Sequence, residues 1–137
     1  MNELIPLTNF IRIGGQNAID RLVDAFYRRM DTLPEARGIR AMHQSDLTST
    51  KEVLKRYFGE WLGGPALYSA ERGHPRLRKR HIHLRIGPDE RDAWMLCMSG
   101  ALEETVADAA LRQSLHDAFF KLADWVRNDP ENAHDKR

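Results

Sequence analysis

The chain has 137 residues, 42% of them hydrophobic and 30% charged, with 21 Lys and Arg against 20 Asp and Glu for a formal charge of +1. That length suits one domain able to bury roughly two-thirds of its unfolded surface, and the composition excludes intrinsic disorder and a membrane span. Near-neutrality excludes a global attraction to nucleic acid or lipid, and the single cysteine, Cys97, excludes an intramolecular disulfide. Met1–Pro6 lacks the basic start and apolar run of a secretory signal, so a reducing cytoplasm is the expected location.

The periodicity is helical nearly throughout. After Gly14-Gly15, the residues Ile19, Leu22, Val23, Phe26 and Met30 follow the i, i+3, i+4, i+7, i+11 spacing of one buried stripe, which predicts a helix over about 16–30. Leu33-Pro34 interrupts it, because proline lacks an amide donor and disfavours helix in the residue before it, and a bent connection runs to His43. Ser49-Thr50-Lys51-Glu52 fits a capping box for a second helix carrying Val53, Leu54, Tyr57, Phe58, Trp61 and Leu62, stopped at Gly63-Gly64-Pro65. From Ala66 to Gly87 the pattern is lost apart from a short turn around Leu67–Arg72, and the segment is expected to be mostly irregular. Helix resumes at Pro88 with Trp94, Cys97, Met98, Ala101, Leu102 and Val106 inward. A last helix begins near Asp108, buries Leu111, Leu115, Phe119, Leu122 and Val126, and ends at Asn128-Asp129-Pro130. The expectation is one all-α domain over 1–137, with 130–137 as a frayed polar tail.

The irregular segment concentrates charge. Between Arg72 and Arg85 lie six basic residues and no acidic one; removing that +6 from the total of +1 leaves −5 for the rest of the chain. Three readings of this loop stand: a solvated basic loop, a phosphate-backbone contact, or an anion clamp beside a cofactor. The loop has no aromatic residue to stack bases and leads into no recognition helix, which weighs against nucleic acid. His74, His81 and His83 share the segment, but His81-x-His83 without a second ligand pair is a weak zinc signal. A haem site asks for less: one neutral imidazole, an apolar slot and cations at its edge. Tyr27, His43, Thr50 and Trp94 add four polar groups among otherwise apolar stretches, a set suited to a small polarised ligand.

The stretch Trp61-Leu62-Gly63-Gly64-Pro65, then Tyr68, Gly73-His74-Pro75-Arg76-Leu77-Arg78, Arg80-His81, Glu90-Arg91-Asp92-Ala93-Trp94 and Cys97-Met98 closely resembles the group II truncated haemoglobins. Gly14-Gly15, Phe26-Tyr27 and Ala41-Met42-His43 match at suitable spacing, so the resemblance covers roughly residues 5 to 127. It implies a truncated globin-like two-over-two helical sandwich in which the helix bearing the iron-binding histidine is largely reduced to a loop. It assigns His81 as proximal ligand to the iron of haem b, with the other ring nitrogen donating to a backbone carbonyl. Tyr27, His43 and Trp94 match the family's distal polar residues, and Thr50 stands where many globins have a distal histidine. Leu54, Phe58, Leu77, Ile86 and Met98 are the expected haem walls, and Arg78, Arg80 and Tyr68 the expected propionate partners.

Two departures bear on the site. Thr50 removes a histidine, so a bound ligand depends on the Tyr27 and Trp94 donors, with His43 beside them. Ile82-His83-Leu84 replaces the family's Leu-Pro-Phe and leaves His83 as a competing imidazole. The resemblance implies a five-coordinate haem that binds dioxygen, nitric oxide or carbon monoxide. Redox chemistry, as nitric oxide dioxygenation or peroxide reduction, suits the donors better than oxygen transport does. No flavin or nicotinamide motif is present, so an unknown electron donor must act from outside, on a monomer or homodimer. A rival reading is a haem-free helical interaction module that binds an anionic partner through the 72–85 loop.

Overall fold

A computed structural model describes residues 7–128, and every regular element among them is helical. The tail read over 130–137 lies outside the described residues. Helix α1 (Asn9–Ile13) is capped by Thr8, whose Oγ1 accepts the Ile11 N–H at 3.2 Å, and closes on Gly14 in the left-handed region. Helix α2 (Gln16–Thr32) runs two residues past the predicted end and buries the whole predicted stripe, with Ile19, Leu22, Val23 and Phe26 fully enclosed. The bent connection is a 3-10 turn, Pro34–Ala36, followed by the five-residue α3 (Arg37–Ala41).

Helix α4 (Thr48–Trp61) departs from the predicted start. It begins two residues earlier, Leu47 occupies the N-cap position, and no Ser49 capping box forms. The reason is tertiary: burying Leu47 to 6% exposure sets the register, and the Asp46 carboxylate accepts the Thr48 N–H at 3.0 Å instead. Glu52 turns to Lys55 at 3.7 Å. Helix α5 (Leu67–Arg72) falls on the short turn expected there, whereas a second short helix, α6 (Leu77–His81), occupies part of the stretch expected to be irregular. A five-residue helix is too short to display a periodic stripe or to hold without tertiary support. Helix α7 (Pro88–Thr105) starts at the predicted proline, where the Gly87 N–H donates to Glu90 Oε1 at 2.7 Å. Helix α8 (Ala109–Val126) is capped by Asp108, whose carboxylate accepts the Ala110 and Leu111 amides at 2.9 and 3.1 Å.

The long helices form a two-over-two sandwich: α2 packs on α4, α7 packs on α8, and α2 crosses α7. Phe26, Phe58, Met98, Leu102, Leu115 and Phe119 meet at the centre with less than 2% exposure each. Cys97 is fully enclosed there, and burial pushes its thiol up to about 11, so it packs as a small apolar group. Leu122 and Val126, expected in this core, are only half-buried because they line the cavity described below. No helix of the described residues is long and apolar enough to cross a membrane.

One corner fixes where α4 stops. Gly63 has φ +106°, the Gly64 N–H donates to Gly59 O at 2.8 Å, and the Leu62 carbonyl accepts the Phe10 N–H at 2.8 Å, which docks α1 on the end of α4. A Cβ on Gly64 would fall into the Phe10 ring and lie 2.8 Å from the Gly59 carbonyl oxygen. Gly64→Ala is therefore expected to destabilise the protein by about 1–3 kcal/mol through forced overpacking. Urea denaturation checks this: the midpoint should fall with an unchanged slope, and an unchanged midpoint would show that the corner relaxes freely.

Candidate functional site

A cavity of about 500 Å³ opens where α2, α4 and α7 meet the short helices α3 and α6. Tyr27, placed on α2 beside the buried Phe26, is 3% exposed, and burial keeps its phenol protonated well above the usual tyrosine range, against a smaller opposing effect of Arg40. No group among the described residues accepts a hydrogen bond from its hydroxyl. The Phe26 ring contacts Tyr27 edge-on at 4.9 Å and Trp94 at 5.0 Å, so one buried side chain positions a donor from α2 and a donor from α7. The Trp94 indole N–H likewise has no acceptor among the described residues.

His43 packs edge-on against Tyr27 at 5.9 Å, and its Nδ1 donates to the Ile39 carbonyl at 2.8 Å. A carbonyl only accepts, so the hydrogen sits on Nδ1. Burial lowers the His43 pKa more than that bond raises it, and Arg40 and His81 lower it further, so the ring is neutral near pH 7 and Nε2 keeps a lone pair. His43 thus faces the cavity as an acceptor, beside Tyr27, Trp94 and Thr50, whose hydroxyls and indole N–H can donate.

His81, the last residue of α6, repeats the arrangement: Nδ1 donates to the Leu77 carbonyl at 2.6 Å, which leaves Nε2 as the ring nitrogen with no partner among the described residues. The structure brings His81 into the same cavity as Tyr27, His43, Thr50 and Trp94. Leu54, Phe58, Tyr68, Leu77, Arg80 and Ile86 line it as well. Arg78 and Met98 do not. Met98 is fully enclosed in the core one turn beyond Trp94, and Arg78 turns outward, its guanidinium carbon 5.7 Å from the Trp125 ring centre. His83 is exposed and does not line the cavity. Among the described residues no cluster of three or more His, Cys, Asp or Glu side chains is placed to hold a metal ion.

Several lining residues escaped the sequence reading. Tyr57, pushed up to about 12 by burial with help from Tyr68 and Glu60, stacks edge-on against Tyr68 at 5.5 Å. Arg72 reaches the rim from the end of α5, and Leu122, Ala123 and Val126 close one wall from α8. Arg72 was legible only as part of the basic run, and the α8 residues looked like ordinary core.

The largest omission is Asn128, read from sequence as a helix terminator. Its Nδ2 donates to His81 O at 3.0 Å and Leu84 O at 2.7 Å, while its Oδ1 accepts the Ile86 N–H at 2.9 Å. Its own N–H donates to Ile86 O at 3.0 Å. Asn128, two residues past the end of α8, therefore clamps the backbone that carries His81. A second tie holds the same end, since Asp124 accepts from Arg91 at 2.8 Å and Arg127 at 3.0 Å, which lowers its carboxyl below the usual range. Asn128→Ala strips three backbone groups of partners and is expected to cost about 1–3 kcal/mol. Amide hydrogen exchange reads it directly: Ile86 and its neighbours should exchange faster while α2 keeps its protection, and an unaltered Ile86 rate would show that the clamp is dispensable.

This arrangement of helices and side chains has known counterparts. A family model described as bacterial-like globin matches residues 8–128. The chain is 37% identical over 117 residues to the group 2 truncated hemoglobin YjbI of Bacillus subtilis, covering 85% of this chain and 86% of that protein. The group II 2-on-2 hemoglobin of the plant pathogen Agrobacterium tumefaciens superposes with a TM-score of 0.86 at 40% identity, over 94% of this chain and 99% of its own. The cold-adapted truncated hemoglobin of the Antarctic marine bacterium Pseudoalteromonas haloplanktis superposes with a TM-score of 0.86 at 36% identity, over 89% and 98% respectively. With a helical sandwich, an imidazole at the end of the reduced helix α6 lining the cavity and family matches along nearly the whole described chain, the protein belongs to the bacterial-like globins as a haem-binding two-on-two truncated haemoglobin of group II.

Proposed function

We propose that the chain holds haem b in this cavity, with His81 Nε2 as the protein's ligand to iron, and takes dioxygen, nitric oxide or carbon monoxide among Tyr27, His43, Thr50 and Trp94. The residues present fit that group. The cavity is of cofactor size at about 500 Å³, with Leu54, Phe58, Leu77, Ile86 and Leu122 as apolar walls. Arg72 and Arg80 stand exposed at its rim, where two propionates need cations, and Tyr68 lies buried beside them. The observation that carries the reading is one cavity uniting an imidazole already committed through Nδ1 with two donors, a buried phenol and an indole, that have no acceptor among the described residues.

Bound there, haem supplies an iron that takes diatomic ligands and exchanges one electron. The Nδ1–H bond to Leu77 O holds the His81 ring in orientation and raises the basicity of Nε2. Tyr27 and Trp94 aim donors into an apolar space, where a charge-assisted hydrogen bond to a ligand gaining negative charge contributes about 1.5–3 kcal/mol each. Two such donors slow ligand release, which favours redox chemistry such as nitric oxide dioxygenation over delivery. Peroxide reduction has its own support: His43, neutral with a lone pair on Nε2, is a base able to accept a peroxide proton. We place the chain as one truncated-globin domain working in a reducing cytoplasm.

His81→Ala is expected to lose haem or its ferrous Soret spectrum, whereas His83→Ala, altering an exposed ring outside the cavity, should change neither. Full haem retention with an unchanged spectrum in His81→Ala would remove that residue from the site. A wild-type protein that stays colourless after haem supplementation would leave the haem-free module binding an anionic partner as the better reading.

Tyr27→Phe and Trp94→Phe each delete a donor while keeping apolar bulk, so dioxygen dissociation should accelerate roughly tenfold to hundredfold. The two effects need not add, because the remaining donor can reorient. Carbon monoxide carries less negative charge and should respond less. Stopped-flow displacement measures both ligands, and equal acceleration of the two would make these side chains steric gates rather than donors.

A further inference from the structure

The basic segment is not used up by the cavity. A second, open groove of about 610 Å³ lies between α4, α6 and α8, lined by Trp61, His74, Pro75, Arg76, Lys121 and Trp125. Tyr57, Leu77 and Leu122 line both this groove and the haem cavity, so a single layer of side chains separates the two. No carboxylate among the described residues pairs with Arg76, Lys79 or Lys121. The acidic groups of this region are engaged elsewhere: Glu71 faces Arg56 and Arg72 at 3.5 and 3.8 Å, and Asp124 holds Arg91 and Arg127. Trp125 is 53% exposed with Arg78 over its ring, the kind of residue pair that anchors protein interfaces. Arg76 is the one non-glycine residue among those described with positive φ, at +49°, a costly conformation that keeps this turn cationic where glycine would be easier.

We propose that the groove between α6 and α8 docks an acidic one-electron carrier protein of the [2Fe–2S] ferredoxin class, which re-reduces the haem iron. The proposal rests on the haem reading above. One electron passes from the reduced cluster to ferric iron across the Leu77–Leu122 layer; the cluster is oxidised, the iron is reduced, and no bond or proton changes hands. A nicotinamide cofactor donates a two-electron hydride, which a single iron cannot accept, so a one-electron carrier matches the chemistry. Charge complementarity matches the partner: a local excess of unpaired cations on a nearly neutral chain steers and orients an acidic protein.

The test titrates haem-loaded protein with an oxidised plant-type [2Fe–2S] ferredoxin by calorimetry and follows reduction of the ferric protein by the photoreduced ferredoxin in stopped flow. Arg76→Glu with Lys121→Glu is expected to raise Kd about tenfold or more at low salt and to slow the second-order reduction by a similar factor. Reduction by dithionite, which needs no docking, should be unchanged. Arg21→Glu, a charge reversal on the exposed side of α2, should leave both readings at wild-type values. Wild-type Kd and rate in the double variant, an equal loss in Arg21→Glu, or equally fast reduction by a nicotinamide cofactor alone would each overturn the proposal. So would tighter binding of a DNA duplex than of ferredoxin. A missing Soret band would defeat the haem reading instead, and calorimetry would still report on the docking face.

Discussion

Both imidazoles of the cavity are held by the same interaction, a hydrogen bond from Nδ1 to the carbonyl four residues earlier: His43 to Ile39 and His81 to Leu77. The site depends on it, because it commits each Nδ1–H to the backbone and leaves each Nε2 without a partner among the described residues. The bond exists only if a turn of helix places the carbonyl within reach. In each case the accepting carbonyl belongs to a five-residue helix, α3 or α6, which would not persist alone in water. The fold must therefore supply the stability that these helices lack.

It does so by directing polar groups at backbone rather than at other side chains. Arg40 fastens the end of α3, donating to Gln44 O at 2.8 Å and Ser45 O at 2.9 Å while pairing with Asp31 at 2.6 Å. Ile39 is buried against the core beside it. Asn128 does the same for the loop after α6, and Arg80 closes that helix from below by donating from Nε to Pro75 O at 2.7 Å. Backbone-directed bonds of this kind fix position with less freedom than exposed ion pairs, which contribute little.

The two halves of the cavity are consequently built differently. Tyr27 and Trp94 stand on α2 and α7, helices of 17 and 18 residues, and share Phe26 as a packing partner. Their geometry is set by core packing, which tolerates small volume changes poorly. His81 stands on a short helix held by a few hydrogen bonds, in a segment that carries six basic residues and no acidic one between Arg72 and Arg85. The rigid half presents the Tyr27 phenol and the Trp94 indole; the half near the surface presents the His81 imidazole and carries exposed cations.

The sequence by itself determined the long helices, because an apolar stripe on α2 or α8 must be buried whatever it meets, and residues such as Pro88, Asp108 and Gly63 mark their ends through local backbone chemistry. Tyr27, His43 and Trp94 were legible as a polar set because such side chains stand out among apolar neighbours, and the residues around His81 carried the likeness to a family. What only the tertiary structure decided were features made by contacts distant in the chain. The start of α4 follows the burial of Leu47 and not the capping box at Ser49. Leu122 and Val126 face a cavity although their spacing is that of core, since periodicity gives a helix face but not what lies opposite. Arg78 and Met98 fall outside the cavity for the same reason. Asn128, 47 residues from His81, looked like a stop signal because a side chain that bonds to remote backbone leaves no local pattern in sequence.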